Sequence, residues 1–130
     1  MKHDEEPRKV LVIDDDDELA GVVRQVLRDA GYSVATVRHG AAALDLMQHI
    51  APDLILLDLA MPIMDGWSFV RQYRRTARKG ARIVLLTANG AAPDIARSLE
   101  VDGYIVKPFS IDDLLASVAR ELPARELQEH

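Results

Sequence analysis

The chain reads as an α/β protein built from five β-α repeats, and three observations carry that reading. Short aliphatic runs recur along the 130 residues, each followed by a segment with apolar residues at helical spacing. The runs are nearly continuous in Val, Ile and Leu, as in parallel strands covered on both faces, rather than alternating with polar residues. Four of them end abruptly in a polar residue: Val10-Leu11-Val12-Ile13 in Asp14-Asp15, Leu54-Ile55-Leu56-Leu57 in Asp58, Ile83-Val84-Leu85-Leu86 in Thr87, and Tyr104-Ile105-Val106 in Lys107-Pro108. Strict alternation implies a doubly wound parallel sheet between helical layers, joined by right-handed crossovers.

After the first strand, Asp16 or Asp17 is a good N-cap, and the acids after it suit the positive end of a helix. Leu19, Val22, Val23, Val26, Leu27 and Ala30 would face inward, with Gly31 as the stop. Residues 33–37 form a short β-rich run. Residues 40–50 repeat the helical pattern, with Ala43, Leu44, Met47 and Ile50 inward and Pro52 beyond. The strand ending at Asp58 leads through a loop to an Asp65-Gly66 turn, and a third helix is expected from Trp67 to about Lys79, with Phe69, Val70 and Tyr73 buried and Gly80 ending it. Pro93 marks a helix start running to Leu99, and Asp102-Gly103 turns into the Tyr104 strand. Ser110, with Asp113 three residues on, has the pattern of a capping box for a last helix to Leu122, stopped by Pro123. The expected organisation is a tail over 1–8, one domain over 9–122 and a tail over 123–130, with no second domain.

Composition narrows the function. A hydrophobic content of 48% in 130 residues supports one real core. The absence of cysteine excludes disulfides and thiolate metal sites. A net charge of −5 disfavours direct nucleic-acid binding, which calls for a basic face. No apolar run approaches the roughly 20 residues of a membrane span, so no membrane insertion is expected. The charged N-terminus lacks the apolar centre of a signal peptide, and the expected location is cytoplasmic. His3, His39, His49 and His130 have no ligand spacing.

Open α/β sheets place their chemistry at the carboxyl edge. Asp14, Asp15 and Asp58 would crowd three carboxylates there, each raising the others' pKa unless a cation balances them. Mg²⁺ suits the task, because it takes one or two carboxylates, keeps several waters and shares a substrate phosphate. Lys107 adds a second positive charge and Thr87 a hydroxyl donor. An Asp nucleophile, a divalent cation, an ammonium and a hydroxyl are the parts needed for attack on phosphorus, giving an aspartyl phosphate.

Those stretches, Val12-Ile13-Asp14-Asp15-Asp16, Leu57-Asp58-Leu59-Ala60-Met61-Pro62 with Asp65-Gly66, Leu86-Thr87-Ala88 and Tyr104-Ile105-Val106-Lys107-Pro108-Phe109, resemble a response-regulator receiver domain in order and spacing. Such domains, the chemotaxis receivers among them, are the phosphoacceptor half of two-component signalling. The resemblance implies a flavodoxin-like fold with strand order 2-1-3-4-5 and phosphorylation at Asp58. It implies a metal held by Asp15 directly, by Asp14 partly through water, by Asp58 and by the carbonyl of Ala60. Thr87 and Lys107 would contact the phosphoryl group, Tyr104 would be the switch aromatic, and the Lys107-Pro108 bond would be cis. The partners implied are a histidine kinase or histidine phosphotransfer protein and a downstream protein. The chain would catalyse only its own phosphorylation and dephosphorylation.

Other readings remain beside it. A haloacid-dehalogenase-type phosphatase wants a second acid where Ala60 stands. An FMN-binding flavodoxin wants a Gly/Ser/Thr-rich cradle where Asp14 to Asp17 stand, and a degenerate docking module would lack a site residue. Asp16 and Asp17 read as helix caps, Glu18 as first-turn charge, Asp65 as a turn, and Trp67 as a half-exposed helix-start residue. Tyr104 as plain core is the bland alternative to a switch. Ala60 and Asn89 flank the expected path of attacking water, and an apolar Ala60 favours a persistent phosphoryl group. Arg71, Arg74, Arg75, Arg78 and Lys79 form a basic face, solvated by default, with an acidic partner as the sharper alternative.

Overall fold

The computed structural model describes residues 6–59, 63–76, 80–88 and 90–123, without the side chains of 63–65. Five strands, β1 (Lys9–Ile13), β2 (Ser33–Val37), β3 (Leu54–Asp58), β4 (Arg82–Thr87) and β5 (Gly103–Val106), alternate with five helices, α1 (Asp17–Asp29), α2 (Gly40–Leu46), α3 (Ile63–Tyr73), α4 (Ala92–Leu99) and α5 (Ile111–Glu121). All strand pairings are parallel and the order is β2-β1-β3-β4-β5, as expected. Side chains alternate across the pleat. Leu11, Ile13, Ile55, Leu57, Ile83 and Leu85 meet Ala43, Phe69, Val70, Tyr73, Ala96 and Leu99 of α2, α3 and α4. Val10, Val12, Leu54, Leu56, Val84 and Ile105 meet Ala20, Val23 and Leu27 of α1 and Leu114 and Val118 of α5. β3, central and buried at every position, is the reason its sequence shows no alternation.

The helix signals hold in type and shift at the ends. Asp16 caps α1, its carboxylate accepting the Leu19 N–H at 3.0 Å, and Gly31 follows the helix at φ 103°, a conformation open to glycine. The buried seam of α1 is Ala20, Val23 and Leu27. Val22, expected inward, is 54% exposed, because the 3.6-residue period that centres that seam turns it outward. α2 ends at Leu46 rather than Ile50: the Gln48 and His49 amides donate to carbonyls three residues back, tightening the chain.

α3 begins at Ile63 and ends at Tyr73, not Trp67 to Lys79. Asp65 and Gly66 therefore lie inside the helix, and the expected turn is corrected. A Cβ on Gly66 would sit 2.9 Å from Leu59 Cδ2, so the glycine serves close packing of this helix on the loop after β3. Trp67 is the helix's fifth residue and half-buried. Pro93 sits in the first turn of α4, and Ser110 and Asp113 form the expected capping box of α5. The Lys107-Pro108 bond is cis, as expected.

Two substitutions separate tertiary from local support. Phe69 is 2% exposed and stacks on Tyr73 with ring centroids 6.1 Å apart. Phe69→Ala should cost about 3–5 kcal/mol, and Ser110→Ala about 1 kcal/mol, in urea unfolding followed by circular dichroism. Equal losses would contradict this division.

Candidate functional site

The carboxyl edge is held in place by backbone bonds that run past the strand ends. The Asp14 N–H donates to Val37 O at 3.0 Å, the Leu59 N–H to Leu86 O at 2.9 Å, and the Lys107 N–H to Thr87 O at 2.8 Å. Three polar residues are nevertheless buried among the described residues, Asp14, Asp58 and Thr87, each at most 2% exposed, and all lie at this edge. Asp58 ends the central strand. Lys107 follows the edge strand β5, two strands away, about 10 Å at ordinary strand spacing. Its long stem closes that gap, and Nζ lies 2.8 Å from Asp58 Oδ1 and 4.0 Å from Asp14 Oδ2. Asp15 is exposed at the mouth. Carboxylate oxygens of Asp14, Asp15 and Asp58 all lie within 4.8 Å of one another, the one such acidic cluster among the described residues.

The electrostatics differ in origin from the sequence expectation. The Asp14 carboxyl is pushed up from 3.8 to about 6, first by burial and only secondarily by the Asp58 charge, while the Asp16 N–H and Lys107 pull the other way. The hydrogen bond from Asp16 N–H to Asp14 Oδ1, 2.9 Å long, orients the carboxylate, a positioning contact the sequence did not reveal. Asp14 Oδ2 is buried with no hydrogen-bond partner among the described residues, Lys107 Nζ lying 4.0 Å away. An orphaned carboxylate oxygen beside two further acids, with one lysine to balance them, is a donor set suited to a hard divalent cation such as Mg²⁺.

The sequence-nominated residues separate into groups. Asp14, Asp15, Asp58 and Lys107 come together, and Thr87, ending β4, is joined by its carbonyl to the Lys107 amide. Asp16 is the helix cap, and Asp17 pairs with Arg38, so both stand outside the cluster, as expected. Tyr104 is 41% exposed on β5 in register with Leu85, which corrects the plain-core alternative. Ala60 and Asn89, with Met61, Pro62, Arg78 and Lys79, lie outside the described residues.

Comparison with known proteins agrees with this geometry. The response regulator receiver domain family matches residues 10–119. The DNA-binding response regulator MtrA of Mycolicibacterium smegmatis is 39% identical over 121 residues, covering 92% of this chain and 52% of that protein. Response regulator MprA of Mycobacterium sp. (strain KMS) is 38% identical over 112 residues, covering 85% of this chain and 48% of that protein. The chain thus spans about half the length of the curated relatives it matches. Among solved structures, chemotaxis response regulator CheY4 of Vibrio cholerae superposes with a TM-score of 0.80 at 33% identity, over 88% of this chain and 98% of that one. The receiver domain of sensor histidine kinase PA1611 from Pseudomonas aeruginosa, solved with a magnesium ion in its active site cleft, gives 0.79 at 26% identity, over 91% of this chain and 99% of that one. With the family match across most of its length and this arrangement at its sheet edge, the chain belongs to the response-regulator receiver domain family.

Proposed function

We propose that Asp58 accepts a phosphoryl group from a phosphohistidine on a histidine kinase or histidine phosphotransfer protein. The observation that carries this reading is the Lys107 Nζ to Asp58 Oδ1 contact of 2.8 Å beside the Asp14–Asp15–Asp58 cluster. An Asp58 oxygen attacks phosphorus, the donor's P–N bond breaks, and the imidazole leaves with the electron pair and takes up a proton. Lys107 holds one Asp58 oxygen, which orients the carboxylate, and its ammonium offsets charge on the transferring group. Thr87 donates its hydroxyl to a phosphoryl oxygen. Asp14, Asp15 and Asp58 are the side chains that would hold Mg²⁺, with the Ala60 carbonyl proposed from the family resemblance; when bound, the ion supplies charge neutralisation at the phosphoryl oxygens. The chain turns over no separate substrate in this reading; the phosphatase alternative finds no acid at Ala60.

Residues 9–122 would form the receiver unit, flanked by tails over 1–8 and 123–130, in the cytoplasm. No helix among the described residues is long and apolar enough to cross a membrane. The output is a changed surface for a downstream protein. Phosphorylation adds charge and acceptor oxygens at the end of β3, drawing Thr87 toward them and opening space beside exposed Tyr104.

Three results are expected. Acetyl phosphate with Mg²⁺ should add one base-labile phosphoryl group by mass spectrometry, and Asp58→Asn should abolish it; equal labelling of the variant would refute the assignment. Thr87→Ala should still accept phosphoryl, more slowly, while the NMR shift changes over residues 90–110 shrink; undiminished changes would show that the signal leaves by another route.

The third result concerns pH. Asp14 has a folded pKa of about 6 against 3.8 unfolded, so its favourable contribution is fully present below 3.8 and is lost as pH rises through 6. Without metal, Asp14→Asn should therefore gain stability relative to the parent between pH 4 and 7, on the order of 2–3 kcal/mol. Mg²⁺ at pH 7 should stabilise the parent and not the variant. A stability difference flat with pH would remove the burial argument.

A further inference from the structure

α4 is held differently at its two ends. At the far end the chain closes in a Schellman pattern, the Glu100 N–H donating to Arg97 O and the Val101 N–H to Ala96 O, each at 3.1 Å. Glu100 lies at φ 56°, ψ 44°, a left-handed conformation that glycine adopts without strain and glutamate does not. That pattern leaves over the carbonyls of Leu99 and Glu100, and Arg74 takes both. Its Nη1 donates to Leu99 O at 2.6 Å and its Nη2 to Glu100 O at 2.5 Å. Arg74 directly follows α3, and its own N–H still donates to Val70 O at 3.0 Å, so the guanidinium fork is carried on a helix end. Leu99 is buried. Just beyond, the Asp102 N–H donates to Ile83 O and Asp102 Oδ2 accepts the Ile83 N–H, both at 2.8 Å.

The near end, which follows Thr87 and β4, has lighter attachments. Ala91 precedes the helix, and its side chain offers no oxygen to cap it. The buried residues there are Ala92 and Ala96, one methyl group each, with Ile95 half-buried beside them. A motion that freed the Leu99 end would break two charge-assisted hydrogen bonds and draw a leucine out of the core. A motion that lifted the Ala92 end would separate mainly small side chains from the sheet, and it meets less resistance.

We propose that Arg74 pins the Leu99 end of α4, so that the helix answers phosphorylation by tilting about that end and not by sliding. The inference rests on the phosphoryl-acceptor reading of Asp58, which supplies the pull on Thr87 and the near end. Arg74 lies outside the acidic cluster and is a positioning residue for the output surface. Its two bonds persist in both states, so switching does not have to break them, and the surface changes at the Ala92 end while the Leu99 end stays fixed.

The pin is tested on the full chain by amide hydrogen exchange and NMR. Without phosphoryl, Arg74→Gln should speed exchange of the Glu100 and Val101 amides about tenfold or more, and that of Ile95 less than about twofold. Arg74→Lys, which keeps the charge but replaces the fork by one ammonium, should fall between, and it carries the comparison should the glutamine variant not fold. Arg75→Gln, which removes the exposed neighbour, should change neither. With acetyl phosphate and Mg²⁺, shift changes in the parent should be large over residues 91–96 and smallest over 99–102. In Arg74→Gln, labelling at Asp58 by mass spectrometry should be unchanged while the changes over 99–102 grow severalfold. Equal acceleration at Ile95 and Val101 would make Arg74 a general stabiliser and overturn the proposal, as would parent shift changes as large over 99–102 as over 91–96. A parent chain that takes no label would refute the phosphoryl reading instead, and the exchange result would still decide the pin.

Discussion

The constraint on which the rest of this structure depends is the burial of two carboxylates, Asp14 and Asp58, at the carboxyl edge of the sheet. Such charges are costly away from water unless paired. Lys107 is the countercharge, and it reaches Asp58 because three other arrangements hold. β5 must lie beside β4 so that the Lys107 amide meets the Thr87 carbonyl, β4 must lie beside β3, and the stem must be long enough to cross the strand between. A shorter cation, or a slip of one residue in the β4–β5 register, would leave Asp58 without that partner. The strand order is in this sense an electrostatic requirement as much as a packing outcome.

The strands that carry the site are held by apolar layers on both faces of the sheet. Phe69, the largest of the fully buried side chains, lies against Gly40, where an added Cβ would come within 3.2 Å of it. A rigid sheet lets the edge hold an orphaned Asp14 oxygen that a softer framework would relieve by moving. An oxygen held in this way is costly near neutral pH, where the carboxylate carries its charge without a hydrogen-bond donor among the described residues.

Much of this was legible in the residues. Aliphatic runs ending in Asp, Thr or Lys named the strands and the edge together, because burial on both faces removes alternation and leaves an abrupt polar stop. Ser110 with Asp113, Asp16 and Gly31 marked helix ends through local hydrogen bonds, which depend on near neighbours. What was not legible came from tertiary contact. Asp65-Gly66 has the pattern of a turn, whereas Gly66 lies within α3, which begins at Ile63, four residues before Trp67, and packs there against Leu59. Val22 faces water because the 3.6-residue period of the Ala20, Val23 and Leu27 seam turns it outward. Mutual repulsion of carboxylates could be foreseen from their number, whereas the dominance of burial at Asp14 required knowing that Asp15 stays in water while Asp14 does not.

The same distinction bears on the basic stretch after Trp67. In the sequence it was a run of like charges, and a solvated face accounts for most such runs. The fold divides the run: Arg74 turns to the carbonyls that end α4, and Arg71 and Arg75 are exposed and form no ion pair among the described residues. A solvated face accounts for the exposed guanidinium groups, and the run divides because only Arg74 is placed within reach of the carbonyls left open where α4 ends.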